Sequence, residues 1–301
     1  MATQATIRQP PRLRGASINL MYVPALALFA VFLIWPVIQG LSLSFTNWDG
    51  MAPSYSDVGF ANYKRLFEDP NFATALRNTF IFGLGSTIIQ QVIGLFLAVL
   101  LDRGARSTNV MRAIVYLPVL ISPVVMGAFY YLVFRYNQGA LNEVLALFGG
   151  GPVPWLSNAT FAIAVVVFIN SLQFVGISMI IYLAGLQGIP QEVNEAAQLD
   201  GVKGWSQFRF ITWPMLHPAF ASSMVINLIG GMKLYDLVKV LTNGGPGFET
   251  NSVSTLISRT YFGDQAAGYA AAQGVFLFLI IVVFTIITNV WLDRRAAKLG
   301  Q

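Results

Sequence analysis

The sequence predicts an all-α protein built from helices that cross a membrane. Of its 301 residues, 55% are hydrophobic and 10% are charged, whereas about 25% of the residues of a soluble domain are charged. The mean hydropathy of +0.63 agrees with this prediction. Six segments also reach the roughly 20 apolar residues that a helix needs to span a bilayer. The predicted spans are Leu20–Phe45, Asn78–Leu101, Ala113–Phe134, Thr160–Leu186, Ala219–Val240 and Tyr269–Leu292.

These spans divide the chain into a membrane domain, residues 20–292, an N-terminal tail, residues 1–19, and a C-terminal tail, residues 293–301. The beginning of the chain resembles a signal peptide, because three arginines precede an apolar run. The uncharged stretch Gly15–Trp48 is, however, longer than the apolar region of a cleaved signal peptide. We therefore interpret it as an uncleaved first span.

The distribution of lysine and arginine predicts the orientation of the spans. With the N-terminus inside, the inner segments hold eleven of these residues and the outer loops hold six, as the positive-inside rule requires. Both termini are then cytoplasmic, and so is the segment 187–218 between the fourth and fifth spans. The outer loops, such as Leu241–Gly268, either contact a soluble partner or simply connect spans, and the sequence leaves both roles open.

Several kinds of chemistry are excluded by what the sequence lacks. It has no cysteine and a single histidine, His217, so a multi-His or Cys-ligated metal site is impossible within it. We expect His217 to be structural or interfacial, because no serine or carboxylate constellation accompanies it. None of the five lysines follows a glycine, which excludes a phosphate-binding P-loop. The net charge of +5 is explained by topology rather than by nucleic-acid binding.

The fifth predicted span contains two ionisable residues, Lys233 and Asp236, whose spacing would place them on one helical face. Charged groups at membrane depth commonly mark a polar pathway or a moving element. The alternative is an intrahelical pair near the outer interface, with the Lys233 side chain extended toward water. An ion-coupled secondary transporter would use the same two residues as its coupling pair.

A neutral polar set lies in the fourth and fifth spans. Amide groups beside aromatic rings suit a sugar, because amides bind hydroxyl groups and rings stack on pyranose faces. The alternative is that these side chains only form hydrogen bonds between helices. The set consists of Asn170, Ser171, Gln173, Phe174, Asn227, Gly230 and Gly231.

The segment Gln191–Pro218 is a polar island between apolar spans. Its first part predicts a short helix, Gln191–Leu199, that ends before Gly201 and is suited to docking at a membrane surface. The tripeptide at 195–197, Gly201 and the dipeptide Trp213-Pro214 resemble the EAA loop of binding-protein-dependent ABC importer permeases. The family pattern ends in Leu-Pro, and Trp213 replaces that leucine here.

The resemblance extends over nearly the whole chain. RAIVYLPVLISPVVMGAFYYLVF and MKLYDLVKVLTNGGPGFETNS resemble the carbohydrate-uptake branch of that family, the maltose and glycerol-phosphate type, in its short six-span form. The resemblance implies a type I ABC importer permease fold with a cytoplasmic EAA coupling helix, in a bacterial inner membrane. It also implies that the permease is not an enzyme.

The partners that the resemblance implies are a second EAA-type permease, an ABC ATPase dimer that binds ATP and Mg²⁺, an extracytoplasmic solute-binding protein, a sugar and membrane lipid. The coupling helix would dock in a groove of the ATPase. The residues that carry this role by position are Glu195, Ala196, Ala197, Asp200, Gly201 and Pro214. The positions that match sugar contacts of the maltose-type permease are Asn170, Gln173, Phe174, Ile177, Asn227, Gly231 and Leu234. Only Asn170 preserves the chemistry of that set.

The sequence therefore predicts half of the translocation pathway of an ATP-driven sugar importer that works by alternating access. One alternative is an ABC permease for another polar solute, such as an amino acid or a polyamine. A second alternative is the ion-coupled secondary transporter described above. A membrane-embedded enzyme would need catalytic polar groups clustered at one depth, and the sequence contains no such cluster.

Overall fold

The computed structural model describes residues 22–102 and 106–298, and within them most residues are helical. A single β-bridge in this part of the chain pairs Thr46 with Asp57. The predicted N-terminal tail and the last three residues lie outside the described residues. In chain order the helices are α1 (Val23–Leu43), α2 (Ala61–Glu68), α3 (Pro70–Leu101), α4 (Arg106–Tyr116), α5 (Pro123–Phe134), α6 (Ala140–Leu147), α7 (Ala159–Gln187), α8 (Gln191–Leu199), α9 (Trp205–Met215), α10 (His217–Met232), α11 (Asp236–Leu241), α12 (Val253–Phe262) and α13 (Ala267–Lys298).

Four of these helices, α1, α3, α7 and α13, are long and apolar enough to cross a membrane. Two bent pairs raise the number of candidate spans to six: α4 with α5, at an angle of 96°, and α9 with α10, at 66°. The chain is therefore a multi-pass membrane protein, as its composition predicts. None of the residues of α1 is buried within the chain, although the C-terminal part of α1 contacts α13.

The third and fifth predicted spans are not continuous helices. Between α4 and α5 the chain forms a 3₁₀ turn, Leu117–Leu120, and Ser122 precedes Pro123 in extended conformation. Proline disfavours the helical conformation of the residue before it, which explains the break. The predicted fifth span, Ala219–Val240, is wrong at its end, because α10 stops at Met232 and a separate helix begins at Asp236.

The core of the molecule is the contact of α3 with α7 and of α10 with both. The helices approach closely because glycines stand at the crossings. A Cβ atom on Gly231 of α10 would lie 2.9 Å from the Cα atom of Gly83 in α3. One on Gly94 would lie 2.5 Å from the Cβ atom of Ser178 in α7. Small residues allow such close packing in membrane bundles, where van der Waals contact drives association.

Helix α3 also presents a buried polar face to its neighbours. The Tyr182 hydroxyl donates to the Gln91 side-chain oxygen, and the Gln91 amide donates to Ser223 Oγ at 3.0 Å. At the far end of α3, the Asn78 amide donates to the carbonyl oxygens of Glu249, at 2.6 Å, and Asn251, at 3.0 Å. These bonds connect α3 to α7, α10 and the loop 242–252, and they fix the helices that surround the cavity described next.

Candidate functional site

A cavity of about 240 Å³ lies where α3, α5, α7, α10 and the segment after α10 meet. Six of the seven predicted substrate-contact positions line it, and Gln173 is the exception. Its volume is below the roughly 300–1,000 Å³ of a complete small-molecule pocket. The lining consists of Gln90, Pro123, Asn170, Phe174, Ile177, Ile226, Asn227, Gly230, Gly231, Lys233, Leu234, Tyr235 and Asp236.

Two asparagine amides give this cavity its hydrogen-bonding capacity. Asn170 is only 2% exposed, yet its side chain forms no hydrogen bond with any other described residue. Asn227 donates from its amide nitrogen to Ser178 Oγ at 2.6 Å and to Ser223 Oγ at 3.4 Å. Its side-chain oxygen has no partner in the described part of the chain. Buried polar groups are normally satisfied, so both amides are suited to a polar ligand or water.

Gln90 is a cavity residue that the sequence analysis missed. It lies on α3, is 1% exposed, and donates from its amide nitrogen to the backbone oxygen of Asn170 at 3.0 Å. Its side-chain oxygen has no hydrogen-bond partner among the described residues. The available signal was the polar face of α3, where glutamine and threonine recur at helical spacing within an apolar span.

Gln173 and Ser171 point away from the cavity and contact other helices instead. Gln173 donates to the backbone oxygen of Ile121 at 2.9 Å, across the break between α4 and α5. Ser171 donates to the backbone oxygen of Val167 in its own helix at 2.6 Å, and its Oγ also lies 3.5 Å from the backbone oxygen of Ser86 in α3. The two explanations of the polar set therefore apply to different members, since Asn170 faces the cavity while these two side chains hold helices together.

The prediction that Lys233 and Asp236 share one helical face is wrong. Lys233 follows the last residue of α10, and Asp236 is the first residue of α11, with two non-helical residues between them. The Leu234 carbonyl accepts a hydrogen bond from Ser252 Oγ at 2.6 Å, and the Tyr235 hydroxyl bonds to Ser258 Oγ at 3.1 Å. Within the described residues, the Lys233 and Asp236 side chains form no salt bridge.

The polar island contains the predicted short helix, α8, with one face packed on the chain and one face open. Ala197 is 3% exposed, whereas its neighbours Glu195 and Ala196 are exposed. Glu195 accepts a hydrogen bond from the Gln191 amide at 2.7 Å, within the same helix. Gln207 of α9 donates to Asn194 at 3.0 Å, which ties α8 to the next helix.

Helix α8 ends before Gly201, as the sequence predicts. Asp200 caps the helix and is exposed, and Gly201 has a φ of +74°, a backbone conformation that glycine adopts without strain. Two large apolar side chains that the sequence analysis did not single out flank this turn: Leu199 is 89% exposed and Trp205 is 72% exposed. The open face of the island is therefore partly apolar as well as charged.

The residues at the far end of the island pack on the chain itself. Trp213 contacts Phe220 with ring centroids 5.3 Å apart and Phe208 at 6.4 Å, so the tryptophan at this position fills an aromatic cluster. Pro214 is half-buried. His217 is 6% exposed and its ring lies 6.3 Å from that of Phe220. No group of acidic or histidine residues that could hold a metal occurs in the described ranges.

Residues 90–298 match the family described as binding-protein-dependent transport system inner membrane component. The chain belongs to this family. The match covers α7, α8, α10 and the cavity lining, and it confirms the resemblance that the EAA spacing indicates. The chain is thus a permease subunit of an ABC transporter, which is a non-catalytic membrane component.

Similar permeases come from several organisms. The chain is 34% identical to a probable ABC transporter permease protein of Pyrococcus horikoshii, over 91% of this chain and 94% of that protein. It is 33% identical to a lactose transport system permease protein of Rhizobium radiobacter, over 88% and 90% of the two chains. It is 30% identical to a trehalose/maltose transport system permease protein of Thermococcus litoralis, over 89% and 90%.

A solved structure has the same fold. It is a chain of a bacterial ABC transporter involved in the import of the acidic polysaccharide alginate. The TM-score is 0.80 at 25% sequence identity, and the alignment covers 93% of this permease and 96% of that chain. The type I ABC importer permease fold predicted from the sequence is therefore confirmed.

Proposed function

We propose that this permease forms half of the translocation pathway of an ATP-driven sugar importer. The observation that carries the proposal is the cavity in which the amides of Asn170 and Asn227 have unused hydrogen-bonding capacity beside the ring of Phe174. Amides and an aromatic face match the hydroxyl groups and the apolar ring face of a sugar. The relatives named for lactose and trehalose/maltose transport support the same substrate class.

The other half of the pathway is a second permease, and the pair is a heterodimer. The small volume of the cavity in one chain supports this arrangement, because a complete sugar site needs more enclosing surface. An extracytoplasmic binding protein delivers the sugar, in keeping with the family description. A similar chain occurs in an alginate transporter complexed with an alginate-bound periplasmic protein.

Energy comes from an ABC ATPase dimer that binds ATP and Mg²⁺ and docks on the cytoplasmic side. The exposed face of α8 supports this role, because Glu195 and Ala196 lie open and Gly201 turns the chain directly after the helix. Both termini then lie in the cytoplasm, as the lysine and arginine distribution predicts. Closure of the ATPase dimer moves the docked helices, and the bundle alternates between two states with different contacts.

The test uses the complete transporter in proteoliposomes with Glu195→Lys and Gly201→Asp as variants. We expect ATP-dependent sugar uptake to fall at least about tenfold, because each change places a new charge in the docking face. Membrane insertion should be unchanged, since both positions are exposed. Glu143→Lys, an exposed charge reversal on α6, serves as the matched control and should transport normally.

Normal ATP-dependent uptake by both coupling variants would contradict the docking role of α8. Uptake by the permease alone, with an ion gradient and no ATPase, would favour the secondary transporter. ATP-dependent uptake of an amino acid or a polyamine, with no uptake of any sugar, would contradict the proposed sugar substrate. The proposed role of α8 in coupling to the ATPase would then still stand.

A further inference from the structure

We infer that Lys233 and Asp236 form a two-charge clamp that binds hydroxyl groups of a neutral sugar in the cavity. The inference rests on the proposed function, since it names residues and a substrate type for the same cavity. Both side chains are exposed and both line the cavity. Neither forms a salt bridge with any other residue of the described ranges, so their charges are available to a ligand.

The backbone holds these two residues in place. Helix α10 stops at Met232 and α11 starts at Asp236, so the interruption directs two consecutive helix ends to the cavity. Two hydrogen bonds hold the interruption in place. Ser252 Oγ donates to the Leu234 carbonyl at 2.6 Å, and Ser258 Oγ bonds to the Tyr235 hydroxyl at 3.1 Å. Discontinuous helices at a substrate site are a recurrent feature of transporters.

Helix capping explains the signs of the two charges but not their position. A lysine at a helix C-terminus and an aspartate at a helix N-terminus are each favourable for electrostatic reasons. That effect needs no cavity. Lys239, near the end of α11, has the same favourable relation to a helix C-terminus and is exposed, yet it does not line the cavity. Lys233 and Asp236 differ from Lys239 in that both line the cavity.

The chemistry of the cavity favours a neutral polyhydroxyl ligand. The ammonium group of Lys233 donates hydrogen bonds and the carboxylate of Asp236 accepts them. The charges of the two residues sum to zero, and the other polar lining groups, such as Gln90, Asn170 and Asn227, are uncharged. Two sugar hydroxyls would receive charge-assisted bonds, which are about twice as strong as neutral ones. A carboxylate on the sugar would be attracted by Lys233 and repelled by Asp236.

The experiment measures sugar moved per ATP hydrolysed by the complete transporter and its binding protein in proteoliposomes. The neutral probes are maltose, trehalose and lactose, and the acidic probe is an alginate disaccharide. We expect uptake of at least one neutral sugar. Lys233→Gln and Asp236→Asn should each lower the ratio of that sugar to ATP about tenfold, because each removes a charge-assisted hydrogen bond. Lys239→Gln is the matched control and should keep the wild-type ratio.

The ratio separates a substrate contact from a structural role. A purely structural defect lowers uptake and ATP hydrolysis together and leaves the ratio unchanged, which would overturn the clamp while the proposed function stands. Uptake of the acidic probe alone by the wild-type transporter would also overturn it. Asp236→Asn should in addition raise uptake of the acidic probe relative to the neutral sugar, since Lys233 then remains unopposed. ATP-dependent uptake of none of the four sugars would contradict both this inference and the proposed sugar substrate.

Discussion

The segment 191–204 and the loop 242–252 are both short, polar and rich in glycine, but the structure uses them in opposite ways. In the first, α8 leaves most of its residues exposed, and the open space around Gly201 and Gly204 contains no atom that a Cβ would meet. In the second, Thr250, Asn251 and Ser252 are buried at 3% exposure or less. Polar composition alone therefore does not distinguish a surface left for a partner from a loop that belongs to the core.

The hydrogen bonds explain the difference. Thr250 Oγ1 donates to the Gly245 carbonyl at 2.5 Å, and Ser252 Oγ donates to the Leu234 carbonyl. The Asn78 amide bridges the loop to α3. Most polar side chains of the loop already form hydrogen bonds within the chain. The loop therefore mainly supports the interruption after α10. The open face of α8 has no comparable network, which suits a surface that binds another protein.

The largest expected effect comes from alanine substitution of one glycine in each segment. Gly244 and Gly201 have φ values of +82° and +74°, where an L-residue is strained by about 1–2 kcal/mol. A Cβ on Gly244 would also overlap the side-chain amide of Asn251, whereas one on Gly201 meets nothing within 4 Å. We expect Gly244→Ala to lower the free energy of unfolding by about 3–4 kcal/mol and Gly201→Ala by about 1 kcal/mol.

The measurement is unfolding of the purified permease in mixed micelles as the denaturing detergent is increased. The two alanine variants share the backbone strain, so the difference between them isolates the packing around Gly244. Equal losses of stability would show that the loop 242–252 is as loosely packed as the segment 191–204, which would contradict the difference between the two segments.

A second, smaller loss of stability is expected when the hydrogen bonds between α3 and the loop 242–252 are removed. Asn78 is 0% exposed, and its amide satisfies two backbone carbonyls of the loop. Asn78→Ala leaves both carbonyls without this donor, which should cost about 2–3 kcal/mol of unfolding free energy. Asn137, which is exposed and forms no hydrogen bond with the described residues, is the control, and Asn137→Ala should change stability by less than about 0.5 kcal/mol. Similar losses for the two variants would show that the loop bond contributes nothing specific.

Much of the coarse architecture follows from the sequence. Hydropathy locates the four continuous spanning helices and the regions of the two bent pairs, and helix-ending glycine chemistry places the end of α8 before Gly201. The EAA spacing identifies the family. Six of the seven positions carried over from the resemblance to sugar contacts line one cavity, because a shared backbone places equivalent residues in equivalent locations even where the side-chain chemistry differs.

The sequence does not show which polar side chains face the cavity. Asn170 and Gln173 are three residues apart in the same helix, yet one faces the cavity and the other bonds to Ile121 across a neighbouring break. The interruption after Met232 is equally hidden, since no proline marks it and the Leu234 carbonyl is satisfied by Ser252, which is 18 residues away in sequence. Both features depend on packing between elements, which local propensity does not encode.

The smallest expected effect tests the two faces of α8 with a pair of adjacent alanines. Ala197→Leu adds volume at a position that is 3% exposed and should destabilise the permease by about 1–2 kcal/mol through overpacking. Ala196→Leu adds the same volume on the exposed face and should leave detergent stability within about 0.5 kcal/mol of wild type. If α8 is the docking helix, Ala196→Leu should instead weaken co-purification with the ATPase, because the small side chain permits close approach in a groove. A stable permease that keeps normal ATPase binding in the Ala196 variant would place the docking surface elsewhere, and the exposed side chains of Leu199 and Trp205 would then be the next positions to substitute.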